Sequence, residues 1–159
     1  MKVDIKFLLS HPAHFIAFGF GAGLAKKAPG TFGTLVAVPL YVAVAWFAMP
    51  ILTWMVIAAL FVLGVWASDV TGKSLGVSDH GGMVIDEIVA FMLVLAFTPA
   101  TWGWWLVAFV LFRLFDIIKP WPISLADRKI KGGFGVMFDD LLAAVFSIGC
   151  IVVAQSQLQ

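Results

Sequence analysis

The stretch Val84–Phe91, VIDEIVAF, places Asp86 and Glu87 side by side in a run that is otherwise wholly apolar. An ionised carboxylate in hydrocarbon is costly and needs a partner. Whether this run is a membrane helix, and what holds its two acids, decides the fold. Composition answers the first question. Of the 159 residues, 62% are hydrophobic and 12% charged, against roughly half and a quarter in a soluble domain. Mean hydropathy is +1.05. We expect an all-α, polytopic integral membrane helical bundle, one domain over residues 1–159. A net charge of +1 excludes a generally basic nucleic-acid binder. With Cys150 as the single cysteine, an internal disulfide and a Cys-based metal site are excluded too. Gly and Pro break the apolar stretch that follows the first lysines, so no cleavable signal is expected.

Working outward from VIDEIVAF, five apolar segments stand out: Leu35–Ala48, Ile51–Ser68, Met83–Thr98, Trp102–Ile118 and Asp139–Ala154. Each falls short of the ~20 residues of a full span, so interfacial residues are expected to extend them. The first four read as two helical hairpins with uncharged turns at Pro50 and Pro99. The glycine-rich Pro12–Leu24 reads as an interfacial or re-entrant helix, or a buried one. Five spans put every charge of the chain on one side, and positive residues mark the cytoplasmic side. The N-terminus and the polar chemistry are therefore expected in the cytoplasm, and the C-terminus outside.

The acids gather at that boundary. Asp86 and Glu87 begin the third span, Asp116 ends the fourth, and Asp139 and Asp140 are expected to open the fifth. Each alone reads equally as a helix cap or a solvated helix end. Together they form a set of hard oxygen ligands, which suits Mg2+. Arg113, Lys119, Arg128, Lys129 and Lys131 surround them in sequence. Arg113, Asp116 and Lys119 share a helix face by spacing, so an internal Arg113–Asp116 pair is the plain alternative to phosphate binding. An acidic, metal-ready core ringed by cations suits a phosphate ester.

Three Gly-rich stretches support this: APGTFGT (Ala28–Thr34), DHGG (Asp79–Gly82) and KGGFG (Lys131–Gly135). Each is expected just before a helix, where backbone N–H groups can face an anion. Thr31, His80 and Gly81 are the candidate phosphate contacts among them, with His80 a possible general acid. His11 and His14 are expected at the interface. KPWPI (Lys119–Ile123) is expected to leave the fourth span as an extended, anchored exit.

The blocks HPAHFIAFGFGAGL with APGTFGTLVAVPLY, SDHGGMVIDEIVAF, and FRLFDIIKPWPISLADRKIKGGFGVMFDDLLAA together resemble the phosphatidylglycerophosphatase A family. The likeness runs from about His11 to about Ala144, and the third block is its most specific part. Paired lysines in AKKAPGTFGT, and Thr34 where serine is common, are small departures outside the acidic cluster. The resemblance implies a Mg2+-dependent phosphatase of the bacterial inner membrane that converts phosphatidylglycerophosphate, a phospholipid, to phosphatidylglycerol. On that reading Asp86, Glu87, Asp139 and Asp140 hold the metal and Asp116 is a ligand or orienter. Arg113, Lys119 and Arg128 neutralise phosphate oxygens. Water is the expected nucleophile, because the aspartyl-phosphate pattern D-x-D-x-T is absent. A CDP-alcohol phosphotransferase would need a D-G-x2-A-R spacing that is missing. A small transporter or assembly subunit, using the acids to bind a cation or partner, is the reading from another class. It would show repeated halves and a midplane site.

Overall fold

The computed structural model describes residues 3–47 and 49–158, and every regular element among them is helical. Three short elements open the chain: α1 (Ile5–Ser10), α2 (Pro12–Ala17) and a 3-10 segment over Gly19–Leu24. Then come α3 (Pro29–Phe47), α4 (Pro50–Leu75), α5 (Ile85–Ala96), α6 (Trp102–Ile118), α7 (Ile123–Lys129) and α8 (Gly132–Gln157). Pro12, Pro29 and Pro50 each begin a helix, where the missing N–H would have no partner anyway. Gly76 stops α4 with φ 71, the usual left-handed glycine cap. Lys119 stops α6 in the same region, φ 46, with a side chain attached.

The helices α3, α4 and α8, of 19, 26 and 26 residues, are long and apolar enough to cross a membrane. The run that opened the question belongs to a helix of only 12 residues, about 18 Å long against roughly 30 Å of hydrocarbon. Its uniform apolarity has another cause. α5 is the centre of the bundle and packs against α3, α4, α6 and α8. Ile85, Asp86, and Ile88 through Met92 are all buried. A helix surrounded on all sides is apolar on all sides. Phe91 anchors it, with ring centroids 5.5 Å from Phe112 and 6.0 Å from Phe109. The outward faces carry exposed Met55 and Val62 on α4, Val110 and Leu114 on α6, and Val145 and Val152 on α8. Such a surface is suited to lipid rather than water.

Chain direction alternates through α3, α4, α5, α6 and α8. One end collects the starts of α3, α5 and α8 with the finishes of α4 and α6. The other end holds the uncharged turns, and Gln155 Nε2 donates to the Phe97 carbonyl there at 3.2 Å. Exposed Trp46 and Trp102 sit at that uncharged end.

Several boundaries differ from the sequence reading. α8 begins at Gly132, so KGGFG is its capping residue and first turn, and Asp139 and Asp140 do not open it. α3 begins at Pro29, so most of APGTFGT is helix rather than loop. The glycines were read as turn signals, but they serve close helix contact. α4 runs on to Leu75, and α7 occupies part of the expected loop after KPWPI. Ala48, the expected end of the first segment, lies outside the described residues. The N-terminal stretch is a packed arm: α2 lies on α4, and the 3-10 segment on α3. His14 is buried in it, stacked on Phe7 at 4.1 Å with Nε2 3.1 Å from Ser74 Oγ. It is structural rather than interfacial. His11 is exposed and caps α2, its Nδ1 accepting from the Ala13 N–H.

Gly133 and Gly149 of α8 make contrasting tests of this packing. A methyl on Gly133 would run into the Val65 carbonyl and lie 2.7 Å from the Asp69 nitrogen, both backbone atoms of α4. Gly133→Ala should force the helices apart and lower stability by about 1–3 kcal/mol. A methyl on Gly149 meets nothing within 4 Å, so Gly149→Ala should leave the melting temperature of detergent-solubilised protein unchanged or slightly raised. Equal melting temperatures for the two variants would contradict the α4–α8 contact.

Candidate active site

The charged end of the bundle is built from four helix segments. α5 contributes Asp86 and Glu87 in its first turn, where unpaired N–H groups and the helix dipole favour negative charge. α8 contributes Asp139 and Asp140 about two turns in, beyond the reach of that dipole. α6 contributes Arg113 and Asp116 from its last turns, with Lys119 as its cap. α3 contributes a smooth surface of Gly30, Gly33 and Thr34.

One oxygen from each of Asp86, Glu87 and Asp140 lies within 4.8 Å of the others. Asp86 and Asp140 are 8% and 3% exposed. Asp86 Oδ1, Glu87 Oε2 and Asp140 Oδ2 are buried without a hydrogen-bond partner among the described residues. Buried polar atoms are nearly always satisfied, and acids that meet this closely, each with one oxygen lacking a partner, could hold a cation. All the donors are hard oxygens, so the set fits Mg2+ or a similar ion and does not suit zinc.

Asp139, expected as a fourth ligand, is not among the three acids that meet, although its Oδ1 is also buried without a hydrogen-bond partner among the described residues. Neighbours on a helix differ by about 100°, and Asp139 is hydrogen-bonded by Lys119 Nζ. The same ammonium donates to Asp127 Oδ1 at 3.0 Å. Lys119 thus ties α8 to α7 and is not a free phosphate donor. Burial would push its ammonium down, yet the bond and charge of Asp139 and the bond to Asp127 hold it above the ordinary lysine value. Burial raises Asp127, but the Lys119 bond and charge outweigh it and keep the carboxyl below its usual range. Ser78, Asp79, Asp127, Lys131 and Asp139 line a small polar cleft beside this bridge.

Arg113 serves the other flank. Its Nη1 lies 2.6 Å from Asp116 Oδ2 and 3.6 Å from Glu87 Oε1. It also reaches Thr34 Oγ1 at 3.4 Å. The Arg113–Asp116 pair read as the plain alternative is therefore present, and it leans on the carboxylate trio. Arg128 is exposed, and its Nε donates to the Ser124 carbonyl of its own helix at 3.1 Å. It forms no ion pair among the described residues. His80 Nδ1 accepts from the Gly82 N–H at 3.1 Å and its ring lies 5.7 Å from Phe18. Gly81 is exposed, and Thr31 is half-buried in the first turn of α3. None of these three is bonded to the acidic cluster among the described residues.

Sequence reasoning missed Asp127 as a structural partner and Gly30 and Thr34 as neighbours of Glu87 and Arg113. The spacing of Gly30, Gly33 and Thr34 along one helix face was the available signal. A second groove, about 590 Å³, runs between α4 and α8 along Phe61, Val62, Val65, Trp66 and Phe134, and ends at Asp69 and Lys131.

Fold and site define a helical, membrane-associated protein with three acids whose oxygens meet closely enough to hold a cation. The family model of phosphatidylglycerophosphatase A matches residues 15–155, and the chain belongs to that family. It is 40% identical over 148 residues to phosphatidylglycerophosphatase A of Escherichia coli, covering 90% of this chain and 83% of the relative. It is 42% identical over 152 residues to the protein of that name from Haemophilus influenzae, covering 94% and 93%. A Bacteroides thetaiotaomicron relative, 40% identical over 149 residues (88% of this chain and 91% of the relative), carries a provisional name as a phosphatidylinositol-3-phosphatase. No solved structure matches the chain.

The Lys119 bridge can be tested by stability. Lys119→Met strands the buried Asp139 carboxylate and should lower the unfolding free energy by about 3 kcal/mol or more. Adding Asp139→Leu should restore most of the loss, because an apolar pair replaces an uncompensated charge. Chemical denaturation in detergent measures both; wild-type stability in Lys119→Met would dismiss the bridge.

Proposed function

We propose that this chain is a Mg2+-dependent lipid phosphatase that hydrolyses phosphatidylglycerophosphate to phosphatidylglycerol and inorganic phosphate. Family membership supports the substrate. The observation that carries the mechanism is the meeting of Asp86, Glu87 and Asp140, each with one buried oxygen that has no hydrogen-bond partner among the described residues. Asp86, Glu87 and Asp140 would hold the metal, which when bound supplies charge neutralisation for the phosphoryl oxygens and acidifies water. A carboxylate oxygen of the trio that is not engaged with the metal would accept the proton of the attacking water. Arg113 is held by Asp116 and orients Glu87. Arg128 and Lys131, both exposed and each bonded to a backbone carbonyl, would meet the phosphate from solvent.

In this reading the protein works as one membrane-embedded domain, with α3, α4, α5, α6 and α8 in the bilayer. The N-terminus and the site face the cytoplasm at the inner membrane of a bacterium. The support is the sidedness of charge: Lys26, Lys27, Lys73, Lys129 and Lys131 are all exposed at the site end. The groove between α4 and α8 would seat an acyl chain, with its polar end at Lys131.

Phosphate release from phosphatidylglycerophosphate, phosphatidic acid and phosphatidylinositol 3-phosphate in mixed micelles, with Mg2+ and with chelator, tests this. The first substrate should dominate, and chelation should abolish turnover. Asp86→Asn and Asp140→Asn should each lower kcat by about two orders of magnitude or more. Asp139→Asn should lower it less, since that carboxylate serves Lys119. Full activity after chelation would refute the metal role, and cation flux without phosphate release would favour a transporter.

A further inference from the structure

Gly30 lies buried in the first turns of α3, against the place where α5 and α6 bring Glu87 and Arg113 together. A methyl built there would collide with Glu87 Oε1 and lie 3.1 Å from both Arg113 Nη1 and Nη2. One turn on, the fully buried Thr34 hydroxyl donates to the Gly30 carbonyl at 2.8 Å. Its remaining lone pairs accept from Arg113 Nη1 at 3.4 Å. The start of α3 is thus a socket: a missing side chain makes room for the carboxylate, and a hydroxyl locks the guanidinium behind it.

We propose that Gly30 is a positioning residue for the cation site, because its absent side chain is what lets Glu87 reach Asp86 and Asp140. This rests on the reading of that trio as a metal site. The kind of obstruction decides what a substitution would do. At Gly133 the obstacle is backbone of α4, so stability suffers. At Gly30 the first atom met is the end of a flexible side chain, which can move aside. The fold would survive, and the carboxylate would leave the trio. The glycine is then required by the site more than by the bundle. Partners of metal ligands commonly contribute about 10–100-fold in metal affinity or activity.

The test uses full-length protein in detergent, with Gly30→Ala, Glu87→Asp and the double variant. Mn2+ binding is followed by electron paramagnetic resonance without substrate, beside melting temperature and phosphate release. Gly30→Ala should weaken Mn2+ binding by about 10–100-fold and lower kcat, with KM for lipid and melting temperature near wild type. The double variant should bind Mn2+ more tightly than Gly30→Ala, because the shorter acid fits beside the methyl. Wild-type Mn2+ affinity in Gly30→Ala, no rescue in the double variant, or no Mn2+ binding by the wild type would each overturn the assignment. If Mn2+ binding follows the expected order while no form releases phosphate, the phosphatase reading fails and the role of Gly30 stands.

Discussion

Like charges gathered away from water repel one another and lose their hydration, so they persist only where something positive is brought to them. That requirement organises the charged end of this bundle. Seven acids, Asp79, Asp86, Glu87, Asp116, Asp127, Asp139 and Asp140, belong to one neighbourhood, and among the described residues Arg113 and Lys119 are the cations in ion pairs with them. Acids outnumber these cations. The two paired cations occupy the flanks, one on Asp116 and Glu87, the other on Asp139 and Asp127. The middle, where Asp86, Glu87 and Asp140 meet, has no side-chain cation of its own beyond the edge of Arg113. A divalent ion held there would reduce the excess.

Helix geometry follows from the same need. Apolar side chains gain little by leaving lipid for one another, so close fit and polar satisfaction have to hold the helices. Gly64, Gly133 and Gly30 let backbones and short contacts approach on α4, α8 and α3. The short α5 is enclosed by its neighbours, which places the first-turn acids inside the protein rather than against hydrocarbon. The arm before α3 closes the same end: the Ala17 carbonyl accepts from the Val84 N–H at 2.8 Å, fixing the entry to α5.

Much of this was legible in the residues. Proline positions and uncharged turns placed both hairpins, and the one-sided charge distribution gathered the acids at one end. What escaped was position within elements. Glycine before an apolar run signals a loop in many chains, yet in Lys131–Gly135 and Ala28–Thr34 it marks helix–helix contact, and only neighbours far away in sequence reveal that. The direction of Asp139 was hidden for a similar reason. Asp139 and Asp140 are alike as letters, and the helical rotation between them sends one to the trio and the other to Lys119. At VIDEIVAF the residues alone do not separate burial in protein from burial in lipid, because both select the same side chains.

The backbone at Lys119 carries one more implication. Its left-handed cap, φ 46, is a conformation that glycine adopts freely and that a side chain makes less favourable by roughly 1–2 kcal/mol. Local helix-stopping preference and the long-range tether therefore pull this position toward different amino acids. A lysine there accepts that backbone cost and delivers an ammonium sideways to two acids on other helices. The cap of α6 is thereby also a clasp between α7 and α8.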